Sequence, residues 1–233
     1  MRVAFYAPLK APDHPVPSGD RRMARGFVDL LTALGHEVEL GCHFRSYDRD
    51  GDAHRQQRLA ALGQRLAEAL LRRYRRRPVA QRPQLWFTYH LYHKAPDLLG
   101  PTVSRSLRIP YVVAEASIAG KQAAGRWATG HAASVVAIGD ADIVLAMTRL
   151  DLPGLEGAVA DRRRLELFPP FLDAAPFVAA CGTRADARRR LAAGHGLDPE
   201  RPWLLAVAMM RHDVKLLSFR LLAQALAYAV ELP

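Results

Sequence analysis

The sequence is poor in cysteine and in lysine. It holds two cysteines, Cys42 and Cys181, and four lysines, Lys10, Lys94, Lys121 and Lys215. Two cysteines cannot build a disulfide framework, so a reducing compartment is the expectation. No apolar run approaches the ~20 residues that a membrane span needs. The opening apolar stretch, Val3 to Pro8, is followed by Lys10 and Pro12 without a small-residue cleavage site, so no signal peptide is expected. The protein is therefore expected to be soluble and cytoplasmic. No Gly-x-Gly-x-x-Gly follows the first apolar run, so the backbone cradle of a dinucleotide pyrophosphate is missing there.

What is present is an ordinary globular composition, 50% hydrophobic and 24% charged over 233 residues. At about 150 residues per domain, that length is roughly one and a half domains. The net charge of +10 is not spread evenly, because Ala53 to Arg82 holds nine arginines and one glutamate, and the other 203 residues carry only +2. A single basic segment disfavours a nucleic-acid coat and leaves room for one local anionic contact.

Elements alternate along the chain. Arg2 to Ala7 suits a buried parallel strand, and a proline-rich loop, Lys10 to Gly19, follows. Ser18 or Asp20 can cap the next helix, whose apolar positions Met23, Phe27, Leu30, Leu31 and Leu34 have helical spacing, and Gly35 can end it. His36 to Cys42 reads as a strand. In the arginine segment Leu59, Leu62, Leu66, Leu70 and Tyr74 line one side of a helix, and Arg58, Arg65, Arg72 and Arg76 lie beside them within about 40°. Further strands are expected at Leu85–His90, Tyr111–Glu115, Asp142–Thr148 and Leu165–Phe168, with helices from Pro96 to Leu107 and from Lys121 to Ile138. This gives a doubly wound, Rossmann-like α/β domain over 1–170. A linker over 171–201, including a basic helix from Arg184 to Ala193, leads to a buried strand at Trp203 to Met210 and a helix at Lys215 to Val230. One strand and one helix (202–233) make an incomplete second domain.

Several segments carry a family resemblance. They are the Pro17-Ser18-Gly19-Asp20 loop, Leu34-Gly35-His36-Glu37-Val38, and Ala141-Asp142-Ile143-Val144-Leu145-Ala146-Met147-Thr148. Phe168-Pro169-Pro170-Phe171-Leu172-Asp173 and the Trp203–Met210 run followed by Arg211 and Lys215 complete the series. In this order they resemble the GT-B glycosyltransferases, family 4 in particular. The resemblance implies two Rossmann-like domains facing a cleft, the first holding an acceptor and the second a nucleotide-activated sugar. It also implies a retaining transfer of a hexosyl unit to a glycan or lipid-linked acceptor. The donor diphosphate would meet Arg211 and Lys215, with no metal and no cofactor beyond the nucleoside-diphosphate sugar itself. The chain stops before the family's Glu-x7-Glu motif, so it is expected to be a truncated form with little activity alone. Met210 and Leu216 stand where that family has glycines.

The residues give independent reasons for the same sites. Cations between a strand end and a helix start suit an anion, and a leaving diphosphate gains charge as the glycosidic bond breaks. Ser18, Gly19 and Asp20 lie beyond the first strand, where open α/β sheets bind ligands. Tyr89, His90, Tyr92 and His93 follow another strand; in an extended chain His90 and Tyr92 would share one side. Their rings and polar atoms suit sugars. Glu115 ends the next strand, where a carboxylate can accept hydrogen bonds from hydroxyls. No spacing indicates a catalytic triad, so catalytic residues stay unassigned. The alternative to an enzyme is a non-catalytic module that binds a glycan or, through Arg58, Arg65, Arg72 and Arg76, the face of an anionic membrane.

Overall fold

The computed structural model describes residues 1–207 and 214–230. Its contacts divide into two units, Met1–Asp173 and Ala174–Pro233.

The first unit is a Rossmann-like α/β domain built on one parallel sheet. The strands are β1 (Arg2–Tyr6), β2 (Glu37–Cys42), β3 (Leu85–Leu91), β4 (Tyr111–Ala116), β5 (Ile143–Ala146) and β6 (Leu165–Leu167), in the spatial order β2-β1-β3-β4-β5-β6. The helices are α1 (Gly19–Ala33), α2 (Ala53–Arg75), α3 (Gly100–Leu107), α4 (Ala128–Asp140) and the short α5 (Leu152–Glu156). Strand order reverses between β1 and β3, which opens a crevice beyond their carboxyl ends.

Both sheet faces are covered, which is why the strands read as apolar runs rather than alternating ones. On one face Val3, Phe5, Phe87 and Tyr89 pack under α1 through Ala24 and Phe27. On the other, Tyr6, Trp86, Tyr111 and Val113 meet Leu70, Leu71 and Tyr74 of α2 and Val103 of α3. Phe27 is 2% exposed and touches the rings of Phe87, Tyr89, Phe168 and Phe171 at 5.1–5.9 Å. Burying such a ring stabilises the fold by about 2–3 kcal/mol. The Phe168–Phe171 segment thus returns to α1 through its aromatic rings.

Helix ends follow local chemistry. The Ser18 hydroxyl accepts from the Arg21 N–H at α1's start, and Gly35 adopts φ +81° just past its end, which glycine tolerates best. Asp52 caps α2 in the same way through the Arg55 N–H. Helix α3 begins at Gly100 and not at Pro96, because buried Asp97 accepts from the N–H groups of Leu99 and Gly100 and sets the start there. Helix α4 begins at Ala128; Lys121 instead lies in a separate 3-10 turn, Gly120–Gln122. On α2 the buried line is Gln56, Gly63, Ala67, Leu70, Leu71 and Tyr74, so the expected Leu62 is exposed. Gly63 allows that rotation: a Cβ there would come within 2.6 Å of Leu98 Cβ.

The second unit contains α6 (Ala175–Cys181), α7 (Arg184–His195) and α8 (Val214–Val230). The Arg188 guanidinium lies 4.1 Å from the centre of the Trp203 ring and donates to the carbonyls of Pro199 and Arg201. The strand expected at Trp203–Met210 is not formed over 203–207: Leu204, Leu205 and Val207 are 80–88% exposed. A strand is stable only with a ladder partner, and the described residues of this unit supply none. Residues 208–210 lie outside the described residues.

Candidate functional site

The crevice beyond β1, β3 and β4 gathers most of the residues singled out in the sequence. His90 Nδ1 stands 3.3 Å from Asp20 Oδ1 and 3.8 Å from Glu115 Oε1. Asp20 comes from the first turn of α1, His90 from the end of β3 and Glu115 from the end of β4. Nδ1 is buried and forms no hydrogen bond of good geometry. His90 holds the Asp20 carboxyl below the usual carboxylate range, with burial opposing the shift.

Two backbone kinks create this arrangement. His90 has φ +60° and Glu115 φ +56°, both in the left-handed region. Each costs about 1–3 kcal/mol outside glycine, a strain that persists only where the surroundings impose it. The expected strand alternation is therefore corrected. His90 and Tyr92 do meet, with ring centres 5.4 Å apart, but across a kink and not along an extended strand.

Tyr89 is buried beneath the crevice, and burial together with the adjacent Glu115 carboxylate raises its hydroxyl pKa, so it stays protonated. Tyr92 is half-buried, and its hydroxyl is pushed up to about 12 by burial and then by Tyr47 and Asp20. His93 continues the row: its ring is 5.2 Å from Tyr92 and 5.6 Å from Trp127. Gly19 is the first residue of α1, and a Cβ there would meet nothing within 4 Å, so its role is open space rather than an unusual backbone. Ser18 spends its hydroxyl on the helix cap.

Lys215 is exposed in the first turn of α8, in the second unit, and Arg211 lies outside the described residues. Arg58, Arg65, Arg72 and Arg76 are all exposed on or just after α2.

Sequence reasoning missed Arg45, Tyr47 and Trp127. The Arg45 guanidinium lies 4.6 Å from the centre of the Tyr47 ring and donates to the Leu9 carbonyl, which puts the β2 loop at the same crevice. Their signal was position alone: Arg45 and Tyr47 follow the carboxyl end of β2 and Trp127 lies between β4 and α4, and the loops at the carboxyl edge of a sheet share a site. Three loops are tied together around them. The Asp48 N–H donates to the Lys94 carbonyl, the Ser46 hydroxyl to the Pro96 carbonyl, and the Trp127 indole N–H to the Asp48 carbonyl. The Gln56 side chain bridges the Arg126 carbonyl and the Gly130 N–H.

The arrangement offers two carboxylates that accept hydrogen bonds, a histidine between them that can take or give a proton, and aromatic faces beside it. Those are the requirements of hydroxyl-rich ligands. Among the described residues, no three His, Cys, Asp or Glu side chains are placed to hold a metal ion, and no helix is long and apolar enough to cross a membrane.

No family model matches the chain, and no curated protein matches it. Among solved structures it is similar to that of HepE from Anabaena in complex with UDP, at 15% identity and a TM-score of 0.43, with 84% of this chain and 50% of that one covered. The chain thus spans about half the length of that protein.

Proposed function

We propose that this protein is a nucleotide-sugar-dependent glycosyltransferase of the GT-B type whose first unit holds the acceptor. The observation that carries the reading is the crevice in which His90 sits between Asp20 and Glu115 at the sheet's switch point. An acceptor hydroxyl bound there would donate to a carboxylate, with His90 as the group nearest the proton that leaves it. Tyr92 would pack its ring against the sugar. The transferred unit is a hexose, the acceptor a glycan or a lipid-linked sugar, and the configuration is retained; family 4 resemblance in the sequence motifs supports these finer points. The donor diphosphate would be held by Arg211 and Lys215, without a metal.

The test is acceptor binding. Titrating neutral and acidic oligosaccharides into the 15N-labelled protein should shift the amide signals of residues 89–93 and 115. His90→Ala should weaken binding at least tenfold. If no saccharide in a broad panel moves those signals, the acceptor reading fails. In a transfer assay with UDP-, GDP- and TDP-hexoses, robust turnover that survives His90→Ala would overturn the assignment of the site.

A second reading, a module that binds an anionic membrane, is favoured by one observation. Arg58, Arg65, Arg72 and Arg76 are exposed and form no ion pair among the described residues. Such a stripe suits a headgroup layer.

A further inference from the structure

The crevice does not end at His90. Ring contacts run on from Tyr89 to His90, Tyr92, His93 and Trp127, each step 5.2–5.8 Å between centres. The row leads from the buried core to the surface, where Trp127 is half-exposed. Three of the four contacts are edge-on, at 71–80° between ring planes, so ring faces and polar ring edges alternate along the row, and both suit sugars.

At its outer end the row is ringed by positive charge. The Lys94 ammonium lies 4.3 Å from the centre of the Trp127 ring and the Arg126 guanidinium 5.8 Å from it. Lys121 and His131 are near enough that, after burial and together with Lys94, they hold the His93 pKa below 6.5. Lys94, Lys121 and Arg126 form no ion pair among the described residues, and the Nε2 atom of His131 is buried without a partner. The carboxylate of Asp48 lines the same small cavity as His93 and Lys94, but it faces Arg55, whose Nε is 3.8 Å away. Three of the four lysines in the chain are Lys10, Lys94 and Lys121; Lys10 acts on Asp20 at the inner end, and the other two are at the outer end. In a chain that uses arginine almost everywhere else, that placement concentrates compact, strongly hydrated cations beside the crevice.

Resting on the acceptor reading above, we infer that the acceptor is an anionic saccharide: its reacting hydroxyl lies at His90, and a carboxylate or phosphate on a neighbouring sugar is held by Lys94, Lys121 and Arg126 beside Trp127. The inner end, with Asp20 and Glu115, is acidic and suits hydroxyls. The outer end is basic and suits an anion. The polarity of the row therefore also fixes the direction in which the acceptor lies.

The test compares three probes on the 233-residue protein by calorimetry at low salt: a neutral glucan trisaccharide, a hexuronate trisaccharide and a hexose 1-phosphate. The hexuronate or the hexose phosphate should bind at least tenfold more tightly than the neutral glycan, and whichever does identifies the anion. Lys94→Ala combined with Lys121→Ala should erase that preference while leaving the unfolding midpoint within about a degree of the parent. Trp127→Phe, which keeps a ring, should weaken binding less than Trp127→Leu. Equal affinity for charged and neutral probes, a preference that survives the double lysine change, or no binding of any probe overturns the inference. Saccharide binding that moves the amide signals of residues 89–93 and 115 with no preference for the charged probes would sink the inference and leave the acceptor reading standing. Lysine-dependent anion binding that His90→Ala leaves undiminished and that moves none of those signals would sink the acceptor reading.

Discussion

His90 and Glu115 occupy matching positions on neighbouring parallel strands, and both are kinked into the left-handed region. The register pairs Tyr89 with Ala114 and Leu91 with Ala116, so the two kinked residues stand opposite one another. Each kink shifts the strand's alternation by one residue. Trp86 packs in the α2 face of the core and so does Leu91, although their separation of five would put them on opposite faces of an unbroken strand; Tyr111 and Ala116 show the same shift. The twin kinks turn His90 and Glu115 toward each other, 3.8 Å apart, at the edge where ligands bind.

If the kink is imposed, glycine should be the better residue for stability and the worse one for function. Glu115→Gly should unfold at a higher urea concentration than Glu115→Ala, by about 1 kcal/mol, because a Cβ is disfavoured at φ +56°. Both variants should lose acceptor binding alike. Equal urea midpoints for the two would show that the left-handed backbone carries no strain.

Much of this was legible in the sequence and some was not, for identifiable reasons. The alternation of strands and helices and the stop at Gly35 are local signals, and strands β1 to β6 lie where the apolar runs are. The gathering of Asp20, His90 and Glu115 was legible only as a helix start and two strand ends, each taken separately. The kinks that bring them together leave little mark in residue type: histidine enters the left-handed region more often than most residues but still rarely, and glutamate has no such preference. Trp203–Val207 is the converse: an apolar run dictates a strand only when a partner ladder is beside it.

Removing His90 should release Asp20. The histidine is the main cause of the lowered Asp20 pKa, so His90→Ala should raise it toward the ordinary value of about 3.9. The sign for stability follows: a carboxyl with a folded pKa below its unfolded one stabilises the protein above the unfolded value, and that contribution is lost as pH falls through the folded value. The variant should therefore lose part of the pH dependence of stability below pH 4. A carbon-detected titration of the Asp20 carboxyl reads the shift directly, and an unchanged midpoint in His90→Ala would contradict the pairing.

Asp97 should be among the costliest polar residues to change. It is 2% exposed, and its two oxygens accept from the Thr88 and Tyr111 hydroxyls at 2.5 and 2.8 Å and from the Leu99 and Gly100 N–H groups at 2.8 and 2.7 Å. Asn in its place would aim an NH2 at donors, leaving hydroxyls or amides buried and unpaired. Asp97→Asn should lower stability by about 3 kcal/mol, seen as a lower urea midpoint with an unchanged slope. A loss below ~1 kcal/mol would mean that the network is wet or adaptable.

Gly130 should tolerate no side chain. A Cβ there would run into the His93 carbonyl oxygen, backbone that cannot swing aside. Gly130→Ala should displace the His93 segment from α4, costing about 1–3 kcal/mol by overpacking and weakening acceptor binding together with stability. Gly194→Ala is the control, since a Cβ at that helical position meets nothing within 4 Å, and it should be neutral or slightly stabilising.

The arginine stripe separates the two readings of this protein without touching the crevice. Arg58, Arg65, Arg72 and Arg76 lie along the exposed side of α2, away from its buried line of Ala67, Leu70, Leu71 and Tyr74. Changing all four to Ala removes no packing, so the melting temperature should hold or rise slightly as like charges are relieved and a better helix former is introduced. Binding to vesicles containing 30% anionic lipid should fall by roughly three orders of magnitude at low salt if the stripe docks to a headgroup layer, as about 1 kcal/mol for each of the four basic residues would give. The salt dependence should flatten with it, because the attraction reaches only about a Debye length. Vesicle binding that is weak in the parent, or that survives the fourfold change, would leave the stripe as a solvated face and remove the support for a membrane-binding module.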